Sequence, residues 1–332
     1  MTLLCRKTLP TRQDTYYGYW QIKDKALNNR YNSINALLSE RFGERIYKVT
    51  LESGFGCPNR DNTKGRQGCS FCSAESLTPT TSIERAGPPG KISEQLKDGI
   101  EYVRKRHGAA KVIAYFQHGS NTYAPVAIAK EMFEQAIAHP AVVGLAISTR
   151  PDCIDAGYLA VFKALSARTM LWVELGLQSA HDETLNRIDR GHSVREFEDA
   201  CSMLKSRGIP VCAHVILGLP KETREMMIRT ARFLTKVGVW GVKIHNLHVL
   251  KGTRMEREYN EGRTPLPDLE TYAGWVSDFI ENLSPEIVVH RLNAHGPRKL
   301  TVAPEWSVNK LAVMNAVHAE LARRNSSQGN KL

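Results

Sequence analysis

A chain of 332 residues with 42% hydrophobic and 24% charged residues has the make-up of an ordinary globular protein, long enough for one large α/β domain or two smaller ones. No apolar run approaches the roughly 20 residues that cross a bilayer. The opening MTLLCRKTLPTRQDT lacks a signal-peptide pattern, and seven scattered cysteines make no secreted disulfide framework, so the expected setting is the cytoplasm with reduced thiols.

The first 45 residues form a basic N-terminal segment with a lead-in helix. From residue 46 onward, β-branched runs alternate with stretches of helical period, the pattern of repeated βα units. The expected strands are 46–53, 112–117, 142–148, 170–178, 211–218 and 242–250, each followed by a helical stretch. In the first helix Ile92, Leu96, Ile100 and Val103 share one face, and in the last Leu269, Tyr272, Val276, Phe279 and Leu283 do. Six strands separated by helices predict a parallel sheet. Right-handed crossovers would curl it into a partial or complete barrel, with a doubly wound open sheet as the competing topology. The core then spans 46–284. A C-terminal extension over 285–324, with a strand-like run at 286–292 and an amphipathic helix near 308–323, would cover one side of the sheet. The tail 325–332 is expected to fray.

The formal charge of +11 asks for a polyanionic partner. Residues 1–48 hold nine Lys/Arg against four Asp/Glu and residues 281–332 seven against four, while the middle is nearly balanced. At the N-terminus the charge stands beside Tyr16, Tyr17, Tyr19 and Trp20, which suits phosphate contact and base stacking, or equally a solvated tail.

In parallel α/β folds chemistry gathers at the C-terminal ends of the strands, and here those ends are rich in polar residues. Cys57, Cys69 and Cys72 follow the first strand; Gln117, His118, Ser120 and Asn121 the second; Thr149, Arg150 and Asp152 the third. Glu174 and Gln178 share one face of the fourth strand. The fifth offers His214 and the turn LGLPKE, the sixth Lys243, His245 and His248. Polar groups inside apolar strands are expensive to bury singly, so this placement points to one shared site.

Residues 57–72, CPNRDNTKGRQGCSFC, carry three grouped thiols. A structural zinc site takes four protein ligands, normally as two close pairs, and the second pair is missing. Cys5, Cys153, Cys201 and Cys212 are isolated, and Cys201 falls on an apolar helix face with Phe197 and Leu204. An iron–sulfur cluster held by three thiolates leaves one iron open for another ligand.

CSFC after the first strand of a βα series resembles the radical S-adenosylmethionine (SAM) superfamily. The commonest motif there is CxxxCxxC, whereas eleven residues separate Cys57 from Cys69. The longer gap is similar to that of the YhcC/YtqA-like branch, related to the radical SAM core of the Elongator catalytic subunit. The likeness continues through GCPNRD, YFQ with NTYAP, STRPDC, VELGLQS with RGHS, HVILGLPKE, VKIHNLHVLKGT and APEW, over roughly residues 30–311.

The resemblance implies a partial (β/α)6 TIM-like radical SAM barrel with a C-terminal α/β extension. It further implies a [4Fe–4S] cluster on Cys57, Cys69 and Cys72, whose open iron chelates SAM and whose electron releases a 5′-deoxyadenosyl radical. By the same resemblance Phe71 meets the adenine, Gln117 the methionyl amino group, Glu174 the ribose hydroxyls and Arg190 the methionyl carboxylate, with Ile216 and Gly218 against the adenine. A reductant protein such as flavodoxin or ferredoxin is implied as well. Each role has a plainer counterpart: neutralisation of Glu174 by Arg150 or Lys243, a helix cap or surface ion pair for Arg190, and hydrogen-bonded barrel positions for His214, His245 and His248. Lys243 and His245 are candidates for the substrate end, in a catalytic role.

With basic termini, the Elongator likeness suggests tRNA or another RNA as substrate. A small metabolite is the alternative, and a non-catalytic zinc-stabilised RNA-binding protein the reading from another class. The chain shows no acetyltransferase domain, so the complete Elongator chemistry does not carry over. The absence of a second cysteine cluster argues against methylthiolation, and no cysteine follows Cys212 to support methyl transfer through a C-terminal thiol.

Overall fold

A computed structural model of the chain describes residues 30–64, 67–73, 90–294 and 296–332. In chain order it contains α1 (Ile34–Phe42), β1 (Tyr47–Leu51), α2 (Ile92–His107), β2 (Val112–Phe116), α3 (Val126–Ile137), β3 (Val142–Thr149), α4 (Ala156–Ser166) and β4 (Met170–Gln178). Then come α5 (Asp182–Arg187), α6 (Val194–Lys205), β5 (Val211–Leu217), α7 (Arg224–Val237), β6 (Gly241–Asn246), β7 (Val249–Leu250) and α8 (Arg254–Asn260). The last elements are α9 (Leu269–Glu281), β8 (Val288–Arg291), β9 (Thr301–Ala303) and α10 (Lys310–Arg323).

The main sheet runs β1-β2-β3-β4-β5-β6-β8, and every neighbouring pair is parallel. Strand order follows chain order, so the sheet curls in one direction and remains open between β1 and β8. The helices that connect the strands start and stop where local chemistry dictates. Ser33, Asp155, Ser193, Thr223 and Asp268 each cap a helix N-terminus with a side-chain oxygen, Ser193 doing so in a reciprocal pair with Glu196. Ile92, Leu96, Ile100 and Val103 of α2 are all buried, the face read from their spacing. Phe197, Cys201 and Leu204 of α6 are likewise fully buried, which makes Cys201 a packing residue.

The core has three parts. The largest lies between the outer face of the sheet and the helices and includes Phe116, Phe133, Phe162 and Phe279. A second fills the barrel interior at the N-terminal ends of the strands, where Ile34, Leu37 and Leu38 of α1 pack on Ile113, Trp172, Cys212 and Trp240. Helix α1 is therefore the plug of the barrel floor, tied to the last strand by the Val289 N–H donating to Asn32 O at 2.7 Å. The third part, at the opposite end, includes Leu185, Ile188, Ile216, Leu247 and Met255.

The curled α/β sheet agrees with the sequence reading, and three details differ. The run at 286–292 is the edge strand β8 of the main sheet rather than a separate layer, because Val288 and Val289 pair with Gly241 and Val242. The run at 242–250 breaks after Asn246, and Val249–Leu250 turns away to pair antiparallel with β9. The tail at 325–332 is docked: Gln328 Nε2 donates to Ser284 O (2.6 Å) and Ile287 O (2.8 Å), its Oε1 accepts from Asn32 N–H (2.8 Å), and Lys331 N–H donates to Glu281 O (2.8 Å). Cys5 and the aromatics of the N-terminal segment lie outside the described residues. No helix among the described residues is long and apolar enough to cross a membrane.

Candidate radical SAM site

The loop after β1 crosses the C-terminal mouth of the barrel and carries all three grouped thiols. A turn follows Cys57, whose carbonyl accepts from the N–H groups of Arg60 (2.8 Å) and Asp61 (3.2 Å), and Cys72 N–H closes a second turn on Cys69 O at 2.9 Å. The loop is pinned from two sides: Ser70 N–H donates to Ile188 O, and Ser70 O accepts from Met255 N–H, each at 2.9 Å. Cys69 Sγ has Asn59 Nδ2 at 3.3 Å and Arg190 Nη1 at 3.7 Å. Such donors hold a thiolate in orientation and tune a metal group bound to it. Burial raises the Cys72 thiol to about 12, with the neighbouring Cys69 and Cys57 adding to the rise and Arg60 and Arg190 opposing it.

The three thiols stand on one loop at the barrel mouth, a soft donor set with Asn59 and Arg190 turned to one of its sulfurs. Among the described residues the group whose ligand atoms all fall within 4.8 Å of one another is Glu174, Cys212 and His290.

Arg190 is buried, and its Nε and Nη2 donate to Gly176 O at 3.3 and 2.7 Å, leaving Nη1 beside Cys69. Gly176 and Gly191 make this possible. A Cβ on Gly176 would stand 2.6 Å from Arg190 Nη2; one on Gly191, whose φ is +73°, would stand 2.3 Å from Asn59 Oδ1. Arg150 donates to Arg190 O at 3.0 Å and pairs bidentately with Asp152, so Arg150 is not the partner of Glu174. Strand β4 ends in a register shift with Gln178 at φ +75°, half-buried at the rim. Phe71 packs in the same apolar cluster as Ile216, and the Trp275 ring lies 3.1 Å from where a Cβ of Gly218 would be.

Below the mouth lies a charged network. Glu174 is fully buried; its Oε1 accepts from Lys48 Nζ (3.3 Å) and Trp172 Nε1 (3.0 Å), and its Oε2 from His214 Nε2 (2.8 Å) and Lys243 Nζ. Lys243 Nζ also donates to Tyr115 OH at 2.8 Å. Burial opposes the charge on Glu174, but Lys243, Lys48 and His214 outweigh it and hold the carboxyl well below its usual range. Burial pulls Lys243 down to about 7; Glu174 resists that shift and Lys48 reinforces it. The His245 ring lies tilted against that of His214, centroids 5.2 Å apart, with its Nε2 unpartnered, and burial, with His214 adding to the shift, holds it well below the usual imidazole range. Both oxygens of Glu174, the residue the resemblance assigns to the ribose hydroxyls, are engaged in this network, with Lys243 among the partners.

Gln117 and Lys243 both line a cavity of about 500 Å³ that opens sideways between β1 and β8. Gln117 is held lightly, by Nε2 to Thr50 Oγ1 at 3.4 Å. Asn59, Lys48 and Tyr115 were not among the residues given roles from sequence. Lys48 could have been found from its alternation with Thr50 on the inward face of β1, and Asn59 from its place in CPNRD.

Comparison with known proteins decides the family. Residues 51–234 match the Radical SAM superfamily, and residues 239–323 match the Radical_SAM C-terminal domain. The chain belongs to the radical SAM superfamily. It is 42% identical over 301 residues to YtqA of Bacillus subtilis, covering 90% of this chain and 92% of that protein, which places it in the YhcC/YtqA branch. A tRNA uridine(34) acetyltransferase of Dehalococcoides mccartyi is 30% identical over 154 residues, covering 45% of this chain and 33% of that protein. Among solved structures, the archaeal Methanocaldococcus infernus Elp3 with residues 1–46 deleted superposes with a TM-score of 0.66 at 17% identity, covering 85% of this chain and 64% of that one. The shared radical SAM fold thus extends to an Elongator-type protein.

Proposed function

We propose that the protein is a radical SAM enzyme that carries a [4Fe–4S] cluster on Cys57, Cys69 and Cys72 and acts on an RNA, tRNA being the class named for its partial relative. The observation that carries the reading is the gathering of the three thiols on one loop at the barrel mouth, with Asn59 and Arg190 directed at Cys69. When bound, the cluster and SAM together supply a reductive cleavage that yields a 5′-deoxyadenosyl radical.

The chain's own residues divide the remaining work. Phe71, Ile216 and Gly218 form an apolar wall for the adenine. Gln117, on the second strand, offers its amide to the methionyl amino group, and Arg190 Nη1, beside the thiols, offers a donor to the methionyl carboxylate. The ribose contact passes from Glu174 to Gln178, beyond the register shift at the end of β4 and half-buried at the rim. Glu174 instead fixes Lys243 and His214 in place. Lys243 and His245 line the substrate end, where an ammonium drawn down to about 7 can exchange a proton with a bound group near neutral pH. A cleft of about 650 Å³ beside Cys69 and Cys72, lined by Arg257 and by Lys64 and Arg254 with their partners Asp152 and Asp189, is the face open to a reductant protein such as flavodoxin or ferredoxin.

The substrate is tested by comparing the nucleosides of tRNA from cells with and without the gene, by mass spectrometry. Loss of one modified nucleoside, restored by the intact gene and not by a Cys69→Ala copy, is the expected result. An unchanged profile would favour a small metabolite instead.

A further inference from the structure

The sideways cavity between β1 and β8 is lined by Arg45, Lys48, Lys243, Arg291 and Lys310, and by no carboxylate. Lys48 and Lys243 are answered by Glu174 behind the wall. Arg45, Arg291 and Lys310 make no ion pair with a carboxylate among the described residues; Arg45 merely lies over the Tyr47 ring, 5.2 Å from its centroid. Cations brought together from three separate segments repel one another, and burial together with the charges of Arg291 and Arg45 lowers Lys310 below its ordinary value. A cluster of this kind is stabilised by an anion. Asn293 lines the same cavity at 1% exposure with its Oδ1 unpartnered, an acceptor for a ligand hydroxyl or N–H.

We infer that this cavity is a phosphate port, in which Arg45, Arg291 and Lys310 seat a phosphate of the substrate while the sugar or base attached to it reaches inward past Asn293 toward Lys243. The inference rests on the radical SAM reading and adds to it where the substrate enters and which of its groups is held. A cation is the wrong occupant, although Glu174, Cys212 and His290 stand close together beside the same cavity. Glu174 is already neutralised there, and a metal ion would face Lys48, Lys243 and Arg291. Both an RNA backbone and a small phosphorylated metabolite present the required phosphate, and the two are separable by experiment.

The test uses the full chain, purified and loaded without oxygen, and reads binding of a fluorescent single-stranded RNA oligonucleotide, with a nucleoside 5′-monophosphate and the unphosphorylated nucleoside as competitors. In the Arg45→Gln/Lys310→Gln variant, affinity should fall about tenfold or more and the log–log salt slope should become shallower by roughly 0.7 for each phosphate no longer neutralised. Arg291→Gln should act in the same direction, whereas removing two outer-helix lysines, Lys97→Gln/Lys130→Gln, should have little effect. Competition by the monophosphate, and not by the nucleoside, should be lost in the same variants. If only the monophosphate binds, and does so through these cations, the port stands with a small substrate. Parent-like affinity and salt slope in both port variants, an equal loss in the outer-helix control, or a parent protein that binds neither probe would overturn it. Iron and sulfide content and the melting temperature report separately: a parent protein without a cluster refutes the radical SAM reading, whatever the binding shows.

Discussion

Glu174 receives two lysines and a histidine on its two oxygens, in a position with no access to solvent. Breaking a buried charge network by removing one partner is strongly destabilising, about 3–5 kcal/mol, because the remaining charges lose their counterion. Glu174→Gln should therefore lower the melting temperature by roughly 6 °C or more, while the iron content of the folded fraction stays near that of the parent. The pH dependence has a definite sign. The folded carboxyl of Glu174 is depressed, so its contribution is present above the ordinary carboxylate range and is lost as pH falls through the folded value. Lys243 is depressed to about 7 from 10.5, so between those values the unfolded chain binds more protons and stability rises with pH. Without Glu174, which holds the Lys243 value up, the variant's Lys243 sheds its unpaired charge below pH 7, so the deficit of Glu174→Gln, followed by thermal melts, should narrow as pH rises toward 7 and stay level above it. A deficit independent of pH would place the destabilisation elsewhere. Sequence could name Lys243 as one possible partner of Glu174 but could not tell whether the carboxylate reaches the mouth or turns into a network, since both positions share one face of the strand.

At the level of elements, strands β1 to β6 were legible because each is a short β-branched run between turn signals, and the helix faces because their apolar residues recur at three and four. Strand β8 was placed in an extension because nothing local says whether a last strand joins the sheet beside β6. The break after Asn246 is a tertiary effect: Leu247 N–H still donates to Leu217 O, and the chain then leaves to meet β9. The docked tail carries no periodic signal at all. Its anchor is the Gln328 amide, which bridges the loop between α9 and β8 and the segment before α1. Gln328→Ala removes the side-chain partner of Asn32 N–H and Ile287 O, while Ser284 O keeps the Ile287 N–H, a loss of about 1–3 kcal/mol. Scanning calorimetry should show a melting temperature lower by a few degrees; an unchanged value would mean that the tail adds nothing to the fold.

For the whole molecule, the cysteine loop and the network beneath it depend on one feature, a parallel sheet curled in chain order so that polar strand ends converge on one mouth and the floor is plugged by α1. The three thiols were legible because they lie within sixteen residues. The rim cations were not, because Arg45 stands far ahead of Arg291 and Lys310 in the chain and meets them only when β8 closes toward β1. The open side of the barrel is thus where Arg45, from before the first strand, meets Arg291 and Lys310 from the C-terminal part of the chain. The most direct test is reductive cleavage of SAM by protein reconstituted without oxygen, beside the Cys57→Ala, Cys69→Ala and Cys72→Ala variants. The expected result is a brown parent protein with about four iron and four sulfide per chain that releases 5′-deoxyadenosine, and no release from any variant. A colourless, zinc-loaded protein with full thermal stability, or cleavage that persists in all three variants, would contradict it.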